Sequence, residues 1–132
     1  MAYGWAPVVF PFVFPFFDPL FLTMAWFVKL EEGIVAKDQF DAVIPAHLRW
    51  LAELEATGHS PSSGYWAERK GLNGDGAGGM LLFSAQDWAQ ADALVRTDPL
   101  IEQGCVRWSL HQWNLVFASQ LFRSETGSPG PR

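Results

Sequence analysis

Three imidazoles, His47, His59 and His111, are the side chains whose type best suits proton transfer at neutral pH. A free imidazole titrates near ~6.5, so a modest change of surroundings lets it take or give a proton. A carboxylate on its far nitrogen fixes the tautomer and stabilises the charged ring. Plainer readings stand beside these. His47 also suits the edge of a core with its nitrogens satisfied, and Asp98 before Pro99 also suits the end of a helix, bonding nearby amides. Both alternatives stay open at this level. His59 and His111 do not fall with His47 into a compact ligand spacing such as His-x-x-x-His, so no metal is expected. Cys105 is the only cysteine, which excludes a disulfide framework and a cysteine-based zinc site; a buried thiol in a reducing, cytoplasmic setting is expected. The glycine-rich run 71–79 (GLNGDGAGG) lacks the Gly-Lys-Ser/Thr ending of a phosphate loop. Its Asn73-Gly74 and Asp75-Gly76 pairs instead signal a hairpin turn. Trp50 and Trp88 suit core or dimer contacts better than a cofactor platform. No cofactor is expected. Arg107 suits a surface or dimer ion pair better than an anchor for an anionic substrate.

The elements that must position these residues follow from periodicity. Residues 25–31 (AWFVKLE) are β-rich and predict a largely buried strand. In 38–57, Phe40, Ile44, His47, Leu48, Leu51 and Leu54 recur three or four apart and predict one helical stripe. Pro45 predicts a kink, or a short turn with the main helix starting there. Gly58 suits the position just past the helix end. Residues 59–68 predict an irregular strand and 80–83 a short apolar one. Ser84 with Asp87 resembles a capping box opening a helix through Trp88, Ala91, Leu94 and Val95, which Asp98-Pro99 ends. A last strand spans 105–116, with Val106, Trp108 and Leu110 on one face and Arg107, Ser109 and His111 on the other.

Strand, helix, strand, strand, helix, strand is the split βαβ order of an α+β, ferredoxin-like domain with a four-stranded antiparallel sheet. Both helices cover one face of that sheet. The other face, carrying large aromatics, is expected to pair with a second subunit, making a homodimer.

The chain of 132 residues suits one domain, expected over 24–118. Nine Lys and Arg against 14 Asp and Glu give a net charge of −5, which excludes nucleic acid as a partner. Residues 1–23 hold six of the eleven Phe, four of the nine Pro and one charge, Asp18. A proline every fourth residue would break a spanning helix repeatedly. Three readings stand: a membrane-surface or partner-docking segment, a mobile extension, or a misassigned start with Met24 as the true first residue. The last is favoured because strand-like sequence begins at Met24, and membrane contact is expected only if the leader is real. Residues 119–132, ending in RSETGSPGPR, are expected to be a disordered tail.

Several stretches together resemble the YciI-like (YCII-related) family. Pro45-Ala46-His47-Leu48, continued by Leu51 and Leu54, is similar to its helix motif. Gly58 followed by Ser63-Gly64 is similar to its second-strand segment, with Tyr65 where proline is usual. Residues 91–104 (ADALVRTDPLIEQG) resemble its helix end with Asp-Pro, an apolar residue and Gly. Val106, Trp108, Leu110 and Trp113 carry the likeness into the last strand, with Gln112 where proline is usual.

The resemblance implies a ferredoxin-like protomer that dimerises through its sheet, and a His-Asp pair in a cleft, here His47 and Asp98. Most members have no established substrate; a few act on chlorinated hydroxyquinols or resemble lactone isomerases, so the likeness speaks for fold more than reaction. Gly64, Tyr65 and Trp66 are the candidate substrate contacts, with the Tyr65 hydroxyl a donor to a substrate oxygen. For Tyr65 and Trp66, ordinary strand packing is the favoured competing reading. The expected function is proton transfer or elimination on a small, cyclic, oxygenated compound. The alternative, which Tyr65 and Gln112 favour, is a non-catalytic dimeric ligand-binding or regulatory module.

Overall fold

The structure, a computed structural model, describes residues 24–70 and 77–120. The leader 1–23, most of the glycine-rich loop and the tail from 121 lie outside these residues. Strands β1 (Ala25–Gly33), β2 (Ser62–Tyr65), β3 (Gly78–Ala85) and β4 (Val106–Trp113) form one sheet in the order β2-β3-β1-β4. Every neighbouring pair is antiparallel. Helices α1 (Lys37–Ala56), α2 (Trp88–Val95) and α3 (Pro99–Glu102) complete the order. This is the ferredoxin-like α+β topology.

Register decides which side chains face the helices. Phe27, Lys29 and Glu31 of β1 stand opposite Phe83, Leu81 and Gly79 of β3, and opposite Gln112, Leu110 and Trp108 of β4. With the period-2 alternation of strands, one face therefore carries Phe27, Phe83, Leu81 and Leu110, which close against Trp50, Leu54, Ala91 and Val95 of the helices. A second cluster, Leu100, Cys105 and Val106, meets Phe40, Val43 and Ile44 at the other end of α1. Lys29 stands on the same face, a cation only 1% exposed with Leu81 and Leu110 as its strand neighbours.

Several elements differ from their sequence-based outlines. Helix α1 runs unbroken through Pro45, with no separate first turn. Proline withholds one intrahelical bond there, at a cost of about 3 kcal/mol. The stripe on both sides of it, Phe40 and Ile44 before and Trp50 and Leu54 after, packs in the two clusters and holds the turns together. Past the helix, Gly58 at φ 88 closes a Schellman end: its N–H donates to the Glu55 carbonyl, and the His59 N–H donates to that of Leu54. Strand β2 is four residues long and exposed throughout, shorter than the 59–68 expected. Ser60 at φ 47 turns the chain just before it, and Arg69 at φ 61 just after. Strand β4 stops at Trp113, because its partner there is Trp26, one residue from the start of β1.

The cap of α2 is Asp87, and Ser84 lies within β3. The Asp87 carboxylate accepts the Gln90 N–H at 2.8 Å, and Gln90 Oε1 accepts the Gln86 N–H at 2.7 Å. This is a capping box three residues later than Ser84, with its return bond one position early. Asp87→Ala is expected to lower stability by about 1 kcal/mol in urea unfolding, with the sheet unchanged.

Candidate functional site

α1 brings His47 inward one turn before Trp50, on its sheet-facing stripe. Asp98 lies in the link between α2 and α3, where it is the N-cap of α3, with Pro99 following as the first helical residue. The helices α1 and α3 lie side by side, and the two residues meet: His47 Nδ1 and Asp98 Oδ1 are 2.8 Å apart, both buried. The same oxygen accepts the Leu100 N–H at 3.0 Å. Asp98 thus caps α3 while also contacting the imidazole, and α2 has already ended at Val95.

Beneath them lies Lys29. Its Nζ donates to Asp98 Oδ2 at 2.6 Å and forms an ion pair with Glu31 Oε1 at 2.6 Å. The second contact meets the distance of an ion pair but not hydrogen-bond geometry, since that oxygen, buried, has no hydrogen-bond partner. Burial alone raises the Asp98 carboxyl. The hydrogen bond from His47, the charge of Lys29 and its hydrogen bond outweigh burial and hold it below the usual carboxylate range. Asp98 is therefore an anion at neutral pH. Carrying no proton, it requires the hydrogen on His47 Nδ1, which leaves Nε2 for chemistry.

Trp50 braces this group from the helix side. Its ring stacks on His47 with centroids 5.9 Å apart, and Lys29 Nζ lies 5.8 Å from its centre. Its indole N–H donates to Thr97 Oγ1 at 2.8 Å, and that hydroxyl donates to the Leu94 carbonyl at 2.6 Å. The imidazole is thereby held on one side by a charge and on the other by a ring that is itself tethered.

His47 and Glu31 open onto a cleft of about 730 Å³, of the size that takes a small molecule. Phe40, Ile44, Leu48, Leu51 and Leu100 give it apolar walls, while Lys37, Asp41, Arg69 and Lys70 supply its other charges. Gly64 and Tyr65 line it together with Ser63. Tyr65 is 66% exposed, so packing within the sheet does not account for it. The Arg69 guanidinium lies 4.6 Å from its ring centre. Trp66 is half-buried, is not among the lining residues, and its buried indole nitrogen has no partner among the described residues.

The remaining candidates lie elsewhere. His59 Nδ1 sits 2.8 Å from the Ser84 carbonyl, and exposed His111 bonds Ser109. Among the described residues no three His, Cys, Asp or Glu side chains are grouped as metal ligands. Arg107 pairs with Glu32 at 2.8 Å, and Cys105 is buried. No described helix is long and apolar enough to cross a membrane. Lys29 and Glu31 are the site residues that sequence reasoning missed. The available signal was a charged residue at an inward position of a strand whose other inward residue, Phe27, is core.

Fold and site together define a ferredoxin-like α+β protein with a buried His-Asp pair at the edge of a small-molecule-sized cleft. The chain belongs to the YCII-related domain family, whose model matches residues 22–114. Among solved structures it is similar to 5-chloro-2-hydroxyhydroquinone dehydrochlorinase from Burkholderia phenoliruptrix AC1100, in complex with 2,5-dihydroxybenzoquinone. That likeness has 20% identity and a TM-score of 0.49, and covers 67% of this chain and 93% of that one. No curated protein matches the chain significantly.

Proposed function

We propose that the protein is an acid–base enzyme acting on a small, cyclic, oxygenated compound by proton transfer or elimination. His47 is the general acid or base, working through Nε2, and Asp98 orients it. The observation that carries this reading is the 2.8 Å contact between His47 Nδ1 and an ionised, fully buried Asp98, with the same imidazole lining the cleft. The contact supplies the tautomer and the counter-charge that an imidazole needs for proton transfer. Apolar walls with a few charges near the opening suit a compact ring bearing oxygens. Gly64 and Tyr65 contact the substrate, the Tyr65 hydroxyl donating to one of its oxygens. The test is turnover of hydroxyquinol- and lactone-type compounds by wild type and by His47→Ala. Equal rates in both remove His47 from the mechanism, and turnover by neither leaves the non-catalytic ligand-binding module as the function.

The protein works as a homodimer joined through the sheet face that the helices leave bare. Trp26, Val28 and Leu30 of β1, Met80 and Leu82 of β3, and Trp113 of β4 share that face by register. None of the six is fully buried in the single chain, and Met80 and Trp113 are exposed. Ser109 and His111 of β4 lie beside them, and a largely apolar surface of this kind marks an association site. Wild type is expected to sediment as a dimer and Leu30→Lys, at the centre of the face, as a folded monomer. A Leu30→Lys protein that stays dimeric contradicts this interface.

A further inference from the structure

We propose that Glu31 is a second acid–base group of the cleft, paired with His47 through the buried Lys29 and Asp98, and that the two exchange one proton across a bound ring. This deepens, and rests on, the reading of His47 as an acid–base group. Four titratable side chains form a continuous chain of contacts: Glu31 to Lys29 at 2.6 Å, Lys29 to Asp98 at 2.6 Å, and Asp98 to His47 at 2.8 Å. Only the two ends, Glu31 and His47, line the cleft; Lys29 and Asp98 are sealed beneath it. The buried middle is a positioning device, and the ends are the groups that meet substrate.

Charge balance gives this arrangement its function. Buried charges are tolerated when they are paired and sum to zero. With Lys29 and Asp98 ionised, the four groups are neutral when they hold one further proton, on either Glu31 or His47. Glu31 suits the base because its Oε1 is held by the charge of Lys29 alone and makes no hydrogen bond. His47, with Nδ1 on Asp98, suits the acid. In the forward step a Glu31 oxygen takes the proton from a ring carbon beside a carbonyl. The C–H electron pair becomes the new C=C bond, the carbonyl π pair moves onto oxygen, and that oxygen takes the proton from His47 Nε2. The product is the enol, and the four groups remain neutral throughout. In the return step Glu31 gives a proton back to the same ring carbon while the enol oxygen returns its proton to His47. The net reaction is the interconversion of ketone and enol, with exchange of that ring hydrogen for solvent hydrogen, and it needs no co-reactant. The class of substrate is a cyclic ketone or its enol.

Deuterium uptake from D2O into cyclohexane-1,2-dione by the full chain tests this. Wild type is expected to accelerate it, and Glu31→Gln and His47→Ala each to slow it at least about tenfold. The double variant is expected to be little slower than either single one, because the two groups act as a unit. Exchange lost in His47→Ala but kept in Glu31→Gln overturns the role of Glu31 and leaves that of His47. Exchange at the buffer rate in wild type overturns both for cyclic ketones.

Discussion

Asp98→Ala is expected to lower unfolding free energy by about 3–5 kcal/mol, the loss typical of removing one partner from a buried ion pair. Asp98 is fully buried and serves three donors: the His47 ring, the Lys29 ammonium and the Leu100 amide. Without it Lys29 keeps only Glu31, α3 loses its cap, and the imidazole loses its orientation. The pH dependence follows from the direction of the shift. The folded-state carboxyl lies below its unfolded value of about 3.9, so its contribution is present above that value. It is lost as pH falls through the folded value. The gap between wild type and Asp98→Ala in urea unfolding is therefore expected to shrink below about pH 4. Lys29→Met added to Asp98→Ala is expected to cost less than the two changes measured singly, because each alone strands the other's charge. Strict additivity between them contradicts the pairing.

His47→Ala is expected to reduce kcat/KM by about 10²–10⁴-fold on any compound the wild type turns over. Its cost to stability is expected to be smaller than that of Asp98→Ala, since Asp98 keeps Lys29 and the Leu100 amide as partners. The two variants thus separate chemistry from scaffold. Asp98→Ala loses both, whereas His47→Ala keeps the fold and loses turnover. Circular dichroism and urea unfolding beside initial rates distinguish them. A His47→Ala protein with a loss of KM alone points to ground-state binding by the imidazole rather than proton transfer.

Much of the architecture was legible because it rests on periodicity. The Phe40–Leu54 stripe and the alternation in β4 register directly as a helix face and a half-covered strand. The meeting of His47 and Asp98 was an expectation from the resemblance, and the structure brings the two into contact. The polar layer beneath them was not legible. Lys29 reads locally as one charge interrupting an apolar strand, and its partners are two residues and 69 residues away in sequence. Only the antiparallel register, which places Lys29 between Leu81 and Leu110, reveals that it points inward. Pro45 misled for the opposite reason: a local rule about proline was outweighed by packing on both sides of it. Ser84 lost its capping role because β3 pairs through to Ala85 opposite Ala25, which leaves Asp87 as the first residue free to cap.

Chemical rescue of His47→Ala by added imidazole tests the central claim most directly. Removing the ring opens space at the cleft wall beside an ionised Asp98, where a free imidazole can take its place. The expected result is a low initial rate without imidazole that rises with imidazole concentration toward saturation. A rate equal to that of the wild type with no imidazole present contradicts the assignment of His47 as the proton-transfer group.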